Sequence, residues 1–139
     1  MGGMKVSPHL VFNGQCEAAF RFYENCLGGK IVTLLSWGSS PMANQAPPEW
    51  RDKIVHATMT IGDTALSGVD NLPSQPQAMQ GFHLLLSIET LAEAERVFAT
   101  LAENGTVQMP FQATFWSPGF GVVVDQFGTP WEVNCEPPR

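Results

Sequence analysis

The chain has few charged residues: Asp, Glu, Lys and Arg make up only 14% of its 139 positions, against about 25% in typical soluble proteins. Seven of these are basic and thirteen acidic, the formal net charge is −6, and no basic run occurs. Binding to nucleic acid or to an anionic membrane needs a concentration of cations, so both are disfavoured. A largely neutral surface suits self-association, and we expect a homodimer.

Long apolar runs and paired cysteines are also missing. Gly, Pro or a charge interrupts every apolar stretch before it reaches the ~18 residues of a membrane span. The first residues lack the basic segment and apolar core of a secretory signal. The three cysteines, Cys16, Cys26 and Cys135, form no CxxC pair. We therefore expect free thiols in a reducing cytoplasm.

What is present is one pattern of elements that occurs twice. The first copy predicts a helix over 15–27 with an apolar stripe, and four strands over 6–13, 30–37, 53–61 and 64–69. The stripe comprises Ala18, Ala19, Phe22, Tyr23, Cys26 and Leu27. The second copy predicts a helix that Thr90 and Glu93 open as a capping box and that ends at Asn104-Gly105. Its four strands are predicted over 81–88, 106–115, 120–125 and 131–135.

Residues recur together with the elements. Glu17-Ala18 matches Glu93-Ala94, Phe22 matches Phe98, and Gly29 matches Gly105, each 76 positions apart. The repetition predicts an α+β fold of two βαβββ modules, 5–70 and 81–136, joined by a linker over 71–80 within one domain, 1–139. We expect Phe22 and Phe98 to be buried at equivalent positions. We also expect inward side chains to line a cavity between the halves.

Three motifs carry a resemblance to a known family: HLVFNGQCEAAFRFY, DKIVHATMTIG and MPFQATFWSPGFGVVVDQFGTPWEVNC. Together they resemble the PhnB-like group, often labelled 3-demethylubiquinone-9 3-methyltransferase-like. That group belongs to the glyoxalase, bleomycin resistance and extradiol dioxygenase superfamily, also called the vicinal oxygen chelate superfamily. The resemblance implies a half-barrel cavity. The methyltransferase label gains no support from the residues, since no Gly-rich phosphate turn follows the first strand.

The resemblance also implies metal ligands on the first and last strands of each module. The matching positions are His83 and Glu132 in the second module, and Ser67 on the last strand of the first. On the first strand, one alignment gives Pro8 and the internal repeat gives His9; strand alternation and the absence of a donor on proline favour His9. The set His9, His83 and Glu132 would suit Zn, Ni, Mn or Fe.

Other residues are candidates for lining the cavity or shaping a turn. The alternation of the strands and the aromatic residues in the loops indicate His9, Val11, His56, Ser67, Leu85, Trp116, Phe120 and Asn134 as cavity-lining candidates. Asp125 in DQFGTPW is predicted to fix the turn before the last strand rather than to act as a base.

Three functional hypotheses remain open. The first is a PhnB-like protein that binds a small molecule without chemistry of its own, and Ser67 at a ligand position favours it. The second is a metal-dependent lyase, isomerase or dioxygenase that uses His9, His83 and Glu132. The third is a resistance protein that sequesters its ligand between aromatic walls across a dimer. The ligand itself cannot be identified from the residues.

Overall fold

The computed structural model describes residues 3–138, which group into two compact units, 3–78 and 79–138. We call these units module one and module two. Each contains one long helix and one four-stranded sheet in the order βαβββ, so the fold is α+β with the module repeated. The order of elements predicted from the sequence is confirmed.

Module one begins with the strand β1 (His9–Phe12) and the helix α1 (Cys16–Leu27). The strands β2 (Lys30–Ser36), β3 (Ile54–Ile61) and β4 (Thr64–Asp70) follow, with two single 3-10 turns between β2 and β3. The sheet order is β1-β4-β3-β2. Strand β1 is parallel to β4, whereas β3 is antiparallel to both β2 and β4.

Module two repeats this arrangement. It comprises β5 (Leu84–Ile88), α2 (Leu91–Ala102), β6 (Thr106–Gln112), β7 (Gly119–Val124) and β8 (Pro130–Cys135). The sheet order is β5-β8-β7-β6, with β5 parallel to β8. Several strands are shorter than predicted, and β6 ends at Gln112 because the chain turns there: the Thr114 backbone N–H donates to the Ser117 carbonyl, 2.9 Å.

The core of module one lies between α1 and one face of its sheet. The helix buries Cys16, Ala19, Phe20, Tyr23 and Cys26. The predicted stripe is therefore wrong at Ala18, which is exposed, while Phe22 and Leu27 are only half-buried. Phe20 takes the inward position because Gly68 leaves room for its ring: a Cβ on that glycine would lie 2.8 Å from it.

The corresponding core of module two lies under α2, which buries Ala94, Val97, Phe98 and Leu101. Both helices have twelve residues, so Phe98 at the eighth position corresponds to the buried Tyr23 rather than to Phe22. The predicted equivalence of Phe22 and Phe98 is therefore wrong. The helices correspond at a spacing of 75, one residue less than the glycines that follow them.

Each module is also held by a buried aspartate. Asp70 is 1% exposed and accepts backbone N–H bonds from Gly14, Cys16 and Ile54, all at 2.9 Å. The first two lie at the start of α1, where Gln15 makes no side-chain cap. Asp70 thus supplies from a distant strand the acceptor that a helix N-terminus needs.

The aspartate of module two acts locally. Asp125 is 3% exposed and accepts backbone N–H bonds from Phe127 and Thr129, at 2.8 and 3.0 Å. It also accepts the indole N–H of Trp131 at 2.8 Å. The predicted role of Asp125 in the turn before β8 is confirmed. The helix α2 has its own cap, because the Thr90 hydroxyl accepts the Glu93 N–H at 3.3 Å, as predicted.

Candidate functional site

Within each module, one face of the sheet packs against the module's helix. We call the opposite face of the sheet the open face. In module two the helix side is marked by Gly121, where a Cβ would lie 2.5 Å from the Phe98 ring of α2. Side chains alternate along a strand, so Phe120 projects to the opposite side. Residues that are directly paired across neighbouring strands share a face. The open face of module two therefore carries Leu85, Ser87, Phe120, Val122, Glu132 and Asn134.

Glu132 lies near the middle of this face, paired with Leu85 of β5 on one side and with Val122 of β7 on the other. Its Oε2 lies 3.9 Å from Nδ1 of His83, and the two side chains are about one-third exposed, at 32% and 37%. That separation exceeds a hydrogen bond, so the contact is electrostatic and depends on protonation of the imidazole. His83 also lines a depression together with Phe82, Gln108, Val124 and Pro130.

Asn134 lies one row further along, paired with Ser87 and with Phe120. Its Oδ1 is buried and accepts no hydrogen bond from any residue that the structure describes. Leaving a buried acceptor unpaired costs about 1–3 kcal/mol, so such atoms are rare in folded proteins. A molecule that reaches this oxygen and donates a hydrogen bond would satisfy it.

Three aromatic rings in mutual contact begin at Phe120, the cross-strand partner of Asn134. Trp116 meets Phe120 edge-on with ring centroids 5.3 Å apart, and Phe115 meets Trp116 in the same way at 4.7 Å. Trp116 is 46% exposed and Phe115 is 97% exposed. Aromatic side chains of this size are normally buried, and where they are exposed together they mark binding surfaces.

The loop that carries Phe115 and Trp116 is fixed rather than loose. Ser117 is buried, and its hydroxyl lies 2.8 Å from the carbonyl of Cys135 and 2.7 Å from that of Gly119. The Gly119 N–H in turn donates to the same hydroxyl at 3.1 Å. These bonds join the loop to the end of β8, next to Asn134. Sequence reasoning missed Ser117, although a Ser-Pro-Gly turn after two aromatic residues is a recognisable signal.

The open face of module one is more polar. His9 pairs with Ser67, and Ser67 pairs with Thr58, so an imidazole and two hydroxyls form one row. Val11 lies two residues beyond His9 on the same face, and His56 of β3 is exposed. No carboxylate stands opposite His9, because Ser67 occupies that position.

The predicted metal ligands are thus divided between the modules. His83 and Glu132 are neighbours in module two, whereas His9 is exposed on β1 of module one. Within the described part of either module, no group of three or more His, Cys, Asp or Glu side chains could hold a metal ion. Two donors hold a divalent ion weakly, so module two would need a third ligand. The three-residue site stays a prediction.

The three cysteines, Cys16, Cys26 and Cys135, are buried and form no disulfide. Burial and the neighbouring carboxylates of Asp70 and Glu17 raise the pKa of the Cys16 thiol far above its usual range. A nucleophilic cysteine needs the opposite shift, so Cys16 is a core residue. None of the helices within 3–138 has the length and apolarity to cross a membrane.

Comparisons with known proteins give a consistent result. The sequence model of the Glyoxalase/Bleomycin resistance protein/Dioxygenase superfamily matches residues 6–133. Protein YjdN of Escherichia coli (strain K12) is 36% identical over 139 residues, which cover 94% of this chain and 95% of that protein.

Solved structures agree. Protein PA1353 from Pseudomonas aeruginosa is 44% identical, with a TM-score of 0.88 over 96% of this chain and 98% of its own. The PhnB protein from Bacillus cereus has a TM-score of 0.80 over 95% of this chain and 99% of its own, at 24% identity. At that identity the second match shows a common fold.

Proposed function

The chain belongs to the glyoxalase/bleomycin resistance protein/dioxygenase superfamily, and we propose that it binds a small molecule on the open face of module two. The observation that carries this proposal is a run of three contacting rings, the exposed Phe115 and Trp116 and the half-buried Phe120. Phe120 is the cross-strand partner of Asn134, whose Oδ1 is unpaired. Ligand sites typically combine apolar walls with a few well-placed polar groups. This face has that composition, with Leu85 and Val122 as further apolar contacts.

Binding can be tested by two-dimensional 1H–15N NMR of the protein titrated with a set of small neutral aromatic compounds. We expect shifts in the indole N–H of Trp116 and the side-chain amide of Asn134. The indole N–H of Trp50 is an internal control, because it donates to the Asn71 carbonyl of module one at 3.0 Å. Trp116→Ala should weaken binding about tenfold, the cost typical of removing an aromatic anchor. If no compound shifts the signals of Trp116 or Asn134, the proposal fails.

A metal-dependent enzyme is the second candidate, and the contact of His83 with Glu132 favours it. The metal would be Zn, Ni, Mn or Fe, held by His9, His83 and Glu132, and it would polarise oxygen atoms of a substrate. Calorimetric titration of metal-stripped protein at pH 7.5 tests this. His83→Ala should abolish uptake and Glu132→Gln should weaken it sharply, whereas His56→Ala is the matched control. Absence of uptake by the wild type would exclude this candidate.

We further propose a cytoplasmic homodimer. Cys16, Cys26 and Cys135 are buried and form no disulfide, which suits a reducing compartment. Apolar residues exposed on the edge strands, Val32 of β2 and Val107 and Met109 of β6, supply surface that a second copy could cover. Sedimentation at micromolar concentration should give twice the chain mass of 15.2 kDa. A monomer under those conditions would contradict the dimer.

A further inference from the structure

The unpaired oxygen of Asn134 restricts what the open face of module two can bind. Other buried polar groups of the module are paired: the Ser117 hydroxyl bonds to backbone groups, and the Asp125 carboxylate accepts two backbone N–H groups. Within 3–138, the Oδ1 of Asn134 is the buried side-chain oxygen or nitrogen without a partner. A carbonyl oxygen only accepts hydrogen bonds, so its partner must be a donor.

The surroundings of this oxygen are flat and apolar on one side. Phe120 is the direct cross-strand neighbour of Asn134, and the Trp116 ring stands edge-on to Phe120 with centroids 5.3 Å apart. A group that donates to Asn134 therefore meets aromatic surface immediately beside the donor. Aromatic rings that stack or meet edge-on gain stability beyond what their buried area contributes.

Charge on the same face disfavours an anion. Glu132 lies two residues before Asn134 on β8 and is one-third exposed. The chain as a whole carries a formal charge of −6. A carboxylate or phosphate placed next to Glu132 would be repelled, whereas a neutral or cationic group would not.

From these three observations we propose that Asn134, Phe120 and Trp116 form a subsite for a planar aromatic group that carries an N–H donor and no negative charge. The Oδ1 of Asn134 accepts the donor, and the two rings contact the plane of the ligand. Ser117 is a positioning residue, because its bonds hold the loop of Trp116 to the end of β8. This inference rests on the proposed function and names the ligand class of that site.

Indole and benzofuran provide a test, since they share size and shape and differ in that only indole carries an N–H. Each is titrated into the full chain, and binding is followed through the signals of Trp116 and Asn134. Wild type should bind indole about fivefold to tenfold more tightly than benzofuran, the ratio expected of one hydrogen bond to a buried acceptor.

Variants of Asn134 identify the acceptor. Asn134→Leu keeps a similar volume but removes the oxygen, so the ratio between the two probes should fall to about one while benzofuran binding changes less than about twofold. Asn134→Asp keeps an acceptor and should retain the preference for indole. Gln126→Leu makes the same kind of change at an exposed turn position and should leave the ratio unchanged.

The outcomes separate the inference from the proposed function. If wild type binds both probes equally through Trp116, the donor-specific subsite is refuted, while small-molecule binding on this face stands. If Asn134→Leu keeps the preference for indole, another residue is the acceptor and the inference fails. If other aromatic compounds shift Trp116 but neither probe does, the inference is again refuted and the proposed function survives.

Discussion

The two modules have the same architecture but present different open faces. Module one offers hydroxyls and imidazoles, with Ser67 opposite His9. Module two offers exposed rings, a carboxylate at Glu132 and the unpaired amide oxygen of Asn134. The helix sides, by contrast, are built alike: an alanine, an aromatic residue and a third buried residue recur at the fourth, eighth and eleventh positions of each helix. The groups to which we assign ligand recognition therefore lie on one of two similar scaffolds.

The modules also differ in how the start of the helix is stabilised. In module one the acceptor comes from Asp70 at the end of β4, more than fifty residues from the first turn of α1. In module two it comes from Thr90, immediately before α2. The first arrangement couples the helix to the far end of the sheet, whereas the second can form locally. Substitutions of Asp70 and Thr90 therefore test whether the two helix starts contribute differently to the free energy of unfolding.

The largest effect is expected from Asp70→Ala. It removes the acceptor for the buried backbone N–H groups of Cys16 and Ile54 and for the part-buried N–H of Gly14. Each unpaired buried donor costs about 1–3 kcal/mol, so the two buried groups alone should lower the free energy of unfolding by about 2–6 kcal/mol. Urea denaturation measures this. Asp63→Ala, in the exposed turn between β3 and β4, is the control and should change stability by less than about 0.5 kcal/mol.

The paired glycines after the helices give the next largest effect. A Cβ on Gly105 would lie 2.5 Å from the Val124 carbonyl oxygen and 3.1 Å from the Asp125 Cα, both backbone atoms. On Gly29 a Cβ would lie 2.7 Å from the flexible end of Met59 and 2.8 Å from the Thr60 carbonyl oxygen, so its closest backbone contact is less severe than that of Gly105. Gly105→Ala should therefore cost about 2–3 kcal/mol, more than Gly29→Ala at about 1–2. Thermal unfolding of both variants measures this. A larger loss of stability in Gly29→Ala than in Gly105→Ala would contradict the prediction.

The buried thiol of Cys16 makes the free energy of unfolding depend on pH. Module two has no counterpart, since Leu91 occupies the first position of α2 and does not ionise. Burial raises the pKa of this thiol above its ordinary value of 9.0. Above pH 9 the thiol ionises in the unfolded chain but not in the folded one. The thiol's contribution to the free energy of unfolding is therefore complete below pH 9 and declines above it. By pH 10 the free energy of unfolding should have fallen by about 1.4 kcal/mol. Cys16→Ala should lack this decline, and equal pH profiles for both proteins would refute it.

Some features of the fold could be predicted from the sequence alone. The repeat of elements, the cap at Thr90 and the turn at Asp125 follow from local patterns, and all three are confirmed. The burial of Phe20 instead of Phe22 was not predictable in that way. It depends on the space above Gly68 and on the contact of Asp70 with the first turn of α1, and both are tertiary features.

Some features of the candidate site were likewise predictable from local patterns, and others depend on tertiary contacts. Alternation along the strands indicated His9 and Leu85 as cavity-lining candidates, because side chains in a strand point to alternate sides. Trp116 and Phe120 were indicated as aromatic residues in or beside loops. No pattern could reveal that the Asn134 oxygen lacks a partner, since that depends on every neighbour in space. The anchor of the aromatic loop, the hydroxyl of Ser117 on the Cys135 carbonyl, likewise joins positions eighteen residues apart.

A smaller difference in stability should separate the two helix starts. Thr90→Ala removes a side-chain cap and should lower the free energy of unfolding by about 1 kcal/mol. Gln15 occupies the same position before α1 but makes no side-chain cap, so Gln15→Ala should have almost no effect. Chemical denaturation of the two variants gives a direct comparison. Equal losses would mean that the capping roles assigned to Asp70 and Thr90 are wrong.

The smallest effect is expected on the open face of module two itself. Phe115 is 97% exposed and contacts the Trp116 ring at 4.7 Å. Because little of its surface is buried, Phe115→Ala should change the free energy of unfolding by less than about 0.5 kcal/mol. Phe98→Ala, which empties a core position under α2, should cost about 3–5 kcal/mol. A large loss of stability for Phe115→Ala would assign the exposed rings to the fold, whereas an unchanged stability leaves ligand binding as their role.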